Sequence, residues 1–325
     1  MIRSMAAAEI PRYRRMRPPS TGRFGRIRPA LATAHPQPSG PAAESAAARV
    51  ARLGGGLPAP LLMLAAMLSF QLGAAVATGL FDRVGVPATA CFRLGVGGVL
   101  LLAISRPNLR RPPSELVWLF VFGAELAVMN LAFYEALNRI PLGVAVTVEF
   151  LGPLSVSLVH SRRLRDVLWV ILAGSGIAIF AGPTSQGLDA AGIGLALLAG
   201  AGWAAYIFTA QRVGREWKGS QGLAGGMVVS AVLLVPFGAG GAGSVAAGSG
   251  IEIVALGVLS TALPFSLEMA ALRTLTARAY GVLASLEPAL ATVVGVVALG
   301  QSLHATDVLA TLLVVTASVG ATFDS

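Results

Sequence analysis

From residue 58 onward, apolar stretches of about 16 to 23 residues recur with only short polar punctuation between them. A helix needs roughly 20 apolar residues to cross about 30 Å of hydrocarbon, so this repetition constrains the fold more than any other feature. Ten stretches can be counted, at 58–80, 87–105, 116–134, 141–159, 166–182, 190–210, 222–238, 251–271, 279–299 and 305–323. Composition agrees: 55% of the 325 residues are hydrophobic and 12% charged, too few polar side chains to cover a water-soluble globule. The expected fold class is an all-α integral membrane protein with ten transmembrane helices.

Most of the net charge of +9 comes from residues 1–57, which hold Arg3, Arg12, Arg14, Arg15, Arg17, Arg23, Arg26, Arg28, Arg49 and Arg52 among Pro, Ala and Ser, without helical or strand period. This segment reads as a disordered basic cytoplasmic leader. It lacks the short apolar core and cleavage site of a signal peptide, and Met5 and Met16 are alternative starts for translation. No basic face with interleaved aromatics is present, so nucleic acid is not an expected partner. Past the leader, Lys and Arg gather in alternate loops: Arg106, Arg110 and Arg111; Arg162, Arg163 and Arg165; Arg212, Arg215 and Lys218; Arg273 and Arg278. The intervening loops carry only Arg83 and Arg139. Because Lys and Arg near span ends are retained on the cytoplasmic side, both termini are expected there.

Ala136-Leu137 and Pro153 recur as Ala271-Leu272 and Pro288, each pair 135 residues apart. With five spans per half, an odd number, the second copy enters from the opposite side. The expected domains are therefore two inverted five-helix repeats, 58–182 and 190–323, an arrangement used by alternating-access carriers. Glycines in the spans, including Gly95, Gly97, Gly98, Gly174, Gly176, Gly200 and Gly202, are expected to permit close helix packing.

Ionisable residues within spans carry the functional signal, since each costs roughly 2.5 to 3.5 kcal/mol at a helix centre and needs a partner or a wet cavity. Arg93, Glu125, Glu149, Glu268 and Glu287 are the candidates. At about 1.5 Å of rise per residue, Arg93 and Glu149 fall at similar depth, joined by Gln71 and Asn130 in one outer polar layer. Glu287 falls towards the inner half, so that the layers bracket a cavity near the midplane. Arg93 and Glu149 read either as a fixed ion pair between helices or as the opposite charges a zwitterionic amino acid needs. Alternatively, Glu149 or Glu287 exchanges a proton during transport. Pro153 and Pro288 each remove a helical hydrogen bond, giving a kink or a free carbonyl near the cavity. Glu125 faces a cavity or a neighbouring helix, and Glu268 is close enough to the cytoplasmic end to be partly hydrated. Tyr134, Tyr206 and Trp203 read as packing residues or interface anchors, with substrate contact the alternative.

Several stretches resemble a known family. They are Met129-Asn130 with Phe133-Tyr134, Ile140 to Gly143, Glu149-Phe150 with Gly152 to Leu154, Ser161 to Arg163, Gln211-Arg212, Ser260 to Pro264 with Ser266 to Met269, and Glu287 to Ala291. Over residues 58–323 the chain resembles the ten-helix drug/metabolite transporter superfamily with its paired EamA-type repeats, and within it the threonine and homoserine exporters of the bacterial inner membrane. The resemblance implies proton-driven efflux of small amino acids, with substrate or coupling contacts drawn from Gln71, Arg93, Asn130, Tyr134, Glu149, Tyr206, Thr261, Glu268 and Glu287. Glu125 and Glu135 stand where small or apolar residues are expected in such exporters. The alternative is a drug/metabolite carrier of the same fold with another substrate. The sequence leaves assembly open between a monomer and a homodimer.

Enzymes and metalloproteins fit poorly. There is no GxxxxGK[ST] phosphate loop and no GxSxG nucleophile motif, and the single Cys91 permits neither an intramolecular disulfide nor a CxxC site. His35, His160 and His304 have no ligand spacing, so no metal and no cofactor is expected.

Overall fold

A computed structural model describes residues 57–105, 110–160, 164–181, 188–217, 220–272 and 274–324. The expected leader, apart from Leu57, and the loop residues Arg106, Arg162, Arg163, Lys218 and Arg273 lie outside the described residues.

The α-helices of eight residues or more are α1 (Ala59–Thr78), α2 (Val86–Ser105), α3 (Pro113–Leu137), α4 (Leu142–Glu149), α5 (Leu151–His160), α6 (Leu164–Ala181), α7 (Ala190–Glu216), α8 (Gln221–Gly238), α9 (Gly250–Gly257), α10 (Leu263–Ala271), α11 (Ala277–Ala284), α12 (Glu287–Leu299) and α13 (Ala305–Asp324). No strand occurs among the described residues. Helix is the outcome lipid demands, because a helix satisfies its backbone N–H and C=O groups within one segment. Eight helical stretches among the described residues are long and apolar enough to cross a membrane, and two apolar stretches, Leu142–Val156 and Val167–Gly176, are shorter.

Starts and stops follow the local chemistry. Pro58, Pro112 and Pro141 precede α1, α3 and α4, where a missing N–H costs nothing. Asp189 accepts from Ala191 N at 2.9 Å to cap α7, and Thr276 Oγ1 accepts from Ala279 N at 3.2 Å to cap α11. Gly300, at φ 63°, ends α12 in the left-handed conformation.

Two expected spans are each divided. The stretch at 141–159 breaks at Phe150 between α4 and α5, and that at 279–299 breaks at Ser285-Leu286 between α11 and α12. Pro153 and Pro288 follow these breaks and withdraw the N–H that would have bonded the carbonyls of Glu149 and Ala284. α7 extends six residues past its expected end, so Arg212 and Arg215 ride on the helix rather than in a loop.

Helices of the two halves interleave. α2 packs on α8, α4 on α12 and α6 on α13, while α3 lies against α7 and α1 against α10. A large buried cluster runs through α2, α3, α4, α7 and α8, and a smaller one joins α1 to α10 and α11. Glycines set several close approaches. A Cβ on Gly152 would overlap the Gly200 carbonyl oxygen, and one on Gly200 would stand 2.7 Å from the Glu149 carbonyl oxygen, so α5 and α7 meet backbone to backbone. Gly174 is an exception to the expected packing role, since a Cβ there would meet nothing within 4 Å.

Candidate functional site

A cavity of about 250 Å³ opens between α1, α2, α3, α4–α5, α7, α8, α9–α10 and α11–α12. Among its walls are Gln71, Arg93, Asn130, Tyr134, Glu149, Tyr206, Thr261, Glu268 and Glu287, together with Pro153. The structure thus brings the nine residues proposed as substrate or coupling contacts to one chamber. Pro288 is buried but is not part of the wall.

Arg93 projects from α2 and is held on two sides. Its Nε donates to Ser260 Oγ at 2.9 Å and its Nη2 to the Ser260 carbonyl at 3.3 Å, while Nη1 donates to Asn130 Oδ1. Asn130 is oriented in turn by its Nδ2, which donates to the Leu126 carbonyl at 2.8 Å. The guanidinium carbon stands 5.7 Å from the centroid of the Tyr134 ring, within cation–π range. A guanidinium has five N–H groups, so these three bonds leave one on each terminal nitrogen.

Arg93 makes no ion pair with Glu149, so the fixed salt bridge between their helices is not formed. Instead the arginine is neutrally anchored, and the Glu149 carboxylate, 8% exposed, accepts no side-chain hydrogen bond from the described residues. The carbonyl that Pro153 frees on Glu149 faces Gly200.

On the second-half side, Gln71 Nε2 donates to Glu287 Oε1 at 3.3 Å. Gln71 therefore belongs with Glu287, and the two expected polar layers merge across the chamber. Glu268 is not hydrated from a helix end. It is 4% exposed and accepts from the Tyr280 hydroxyl at 2.7 Å. Glu125 lies outside the chamber wall: Thr209 Oγ1 donates to its Oε2 at 2.5 Å, and its Oε1 is buried without a partner.

The rest of the wall is apolar and adaptable. Met63, Met67, Met129 and Met227 supply flexible thioethers, and Phe70, Phe133, Phe150, Trp203 and Phe265 supply rings. Trp203 meets Phe150 edge-on at 5.8 Å between centroids, so Trp203, Tyr134 and Tyr206 all border the chamber rather than serving only as packing or interface anchors. Sequence reasoning missed two polar wall residues, Ser260 and Tyr280. Tyr280 is itself uncharged and lies two residues after Arg278 in α11, and only its contact with Glu268 reveals it. One guanidinium facing three carboxyl groups across a small, largely apolar chamber can hold a molecule that carries both charges. Among the described residues no cluster of three His, Cys, Asp or Glu could hold a metal ion.

The EamA-like transporter family matches residues 57–183 and again residues 190–323. The threonine/homoserine exporter RhtA of Salmonella typhimurium (strain LT2) is 43% identical over 272 residues, covering 81% of this chain and 90% of that protein. Its namesake from Escherichia coli (strain K12) is 42% identical over 267 residues, with the same coverage. A solved crystal structure 23% identical to this chain superposes with a TM-score of 0.55, covering 82% of this chain and 97% of that one, and shares the fold. This multi-pass membrane protein belongs to the EamA-like transporter family.

Proposed function

We propose that the chain exports small amino acids, threonine, homoserine or a related compound, across the bacterial inner membrane by alternating access, driven by protons. The observation that carries this reading is the chamber in which Arg93 faces Glu149, Glu268 and Glu287. A zwitterion places its carboxylate on the two free N–H groups of Arg93 and its ammonium among the carboxylates. Glu149, which no described side chain donates to, is the group best suited to alternate between proton and substrate ammonium. The 42–43% identity to threonine/homoserine exporters supports the substrate class.

In this reading ten spans form two inverted five-helix units, 58–182 and 190–323, with both termini cytoplasmic. Support comes from helix positions: Val86 and Leu142 open helices 135 residues before Gln221 and Ala277 do, and the breaks near Phe150 and Ser285 fall at matching places. Helix pairings also recur with the halves exchanged, α3 on α7 being matched by α10 on α1.

A drug/metabolite carrier with a larger substrate is the second reading. The four methionines and the aromatic wall favour it, because they offer more apolar surface than a threonine side chain covers.

Proteoliposomes loaded with radiolabelled threonine or homoserine test the first reading. Saturable efflux that an imposed pH gradient accelerates, and that Glu149→Gln or Glu287→Gln abolishes, is the expected result. Correctly inserted wild-type protein that moves neither compound would leave the carrier fold and remove the amino-acid assignment.

A further inference from the structure

The link from α9 to α10 is a π-helical turn over Val258–Ala262. Leu263 gives its N–H to the Val258 carbonyl, five residues back, so the Leu259 carbonyl is passed over. Pro264 has no N–H, so the Ser260 carbonyl four residues before it has no α-helical donor. Both carbonyls sit in a buried span, where an unfilled acceptor costs free energy. Each receives a donor from the first half of the chain: Ser69 Oγ reaches the Leu259 carbonyl at 2.6 Å, and Arg93 Nη2 reaches the Ser260 carbonyl at 3.3 Å. Ser260 Oγ, which donates to the Leu256 carbonyl at 2.5 Å, also accepts from Arg93 Nε. Ser260 thus offers the guanidinium two acceptors side by side.

We infer that Pro264 is a positioning residue for substrate recognition: by withholding its N–H it hands the Ser260 carbonyl to Arg93 and sets the guanidinium that receives the substrate carboxylate. The inference rests on the reading of the chamber as an amino-acid site. With alanine at 264 the restored N–H competes for that carbonyl, and Arg93 loses one of its three anchors. A guanidinium held only by Ser260 Oγ and Asn130 spends less time in the geometry that receives a carboxylate, and the penalty falls on binding rather than on turnover.

The test compares full-length wild type, Pro264→Ala, Arg93→Lys and the double variant in proteoliposomes. Threonine efflux is measured with and without threoninamide, which lacks the carboxylate charge, as competitor. Pro264→Ala should raise the threonine KM on the order of tenfold, the equivalent of about 1.4 kcal/mol. It should leave kcat little changed and narrow the preference for threonine over threoninamide. In the Arg93→Lys background it should add no further rise, because the effect runs through Arg93. A loss confined to kcat, an unchanged preference, or an additive double variant overturns the inference. Phenylglyoxal labelling of Arg93, read by mass spectrometry, decides independently of any substrate: Pro264→Ala should label faster, and equal rates overturn the inference. Absence of threonine flux in wild type strikes at the transport reading, while the labelling result still decides the role of Pro264.

Discussion

Gly200→Ala tests whether α7 meets the backbone at the α4–α5 break beside the chamber. A Cβ at Gly200 would stand 2.7 Å from the Glu149 carbonyl oxygen and 3.3 Å from the carbonyl carbon and Cα of the same residue. Ordinary contact begins near 3.4 Å, so the chain must open by about 0.7 Å, and the obstacle is backbone rather than the tip of a side chain. Overpacking of this kind costs about 1–3 kcal/mol. Alanine in a helix otherwise recovers about 0.5–1 kcal/mol over glycine. The internal control is Gly194→Ala on the same helix, where a Cβ would meet nothing within 4 Å and only the gain applies. The two variants should therefore differ by roughly 2 kcal/mol, about 3 °C in Tm for a chain of this size. Detergent-solubilised protein heated and followed by fluorescence-detected size exclusion reads this difference. Gly200→Ala should also slow efflux, because the displaced segment carries Glu149. Equal melting of the two variants, or Gly200→Ala melting higher, would refute the backbone contact.

Three further outcomes follow from other contacts. Tyr280→Phe removes the hydroxyl that donates to Glu268 at 2.7 Å, and should cost about 1–3 kcal/mol and lower efflux, measured by the same melting and proteoliposome assays. Gln301 Oε1 accepts from Leu142 N at 3.0 Å at the start of α4, so Gln301→Ala should lower stability by about 1 kcal/mol, whereas Arg83→Ala should change it by less, because its ion pair with Glu252 is exposed.

The spans were legible because lipid leaves a chain almost no choice: an apolar run of sufficient length becomes helix, and a polar residue within it must face a partner or a cavity. The same rule nominated most of the site, since Arg93, Glu149, Glu268 and Glu287 stand out in apolar surroundings and reach the chamber, while Glu125, nominated with them, meets Thr209 outside it. Depth along a helix could also be estimated from rise per residue.

Azimuth could not. Whether Arg93 meets Glu149 or Asn130, and whether Gln71 joins the first layer or Glu287, depends on how each helix is rotated and which helices touch, and no local pattern encodes that. Ser260 and Tyr280 were not nominated as site residues for the same reason, being uncharged residues whose role comes from a neighbour on another helix. Sequence alone determined that this protein lives in a membrane and which charges it must shelter there. Tertiary structure decided which of those charges are bonded and which stay free, because helix rotation and long-range packing choose the partners that a one-dimensional pattern leaves unassigned.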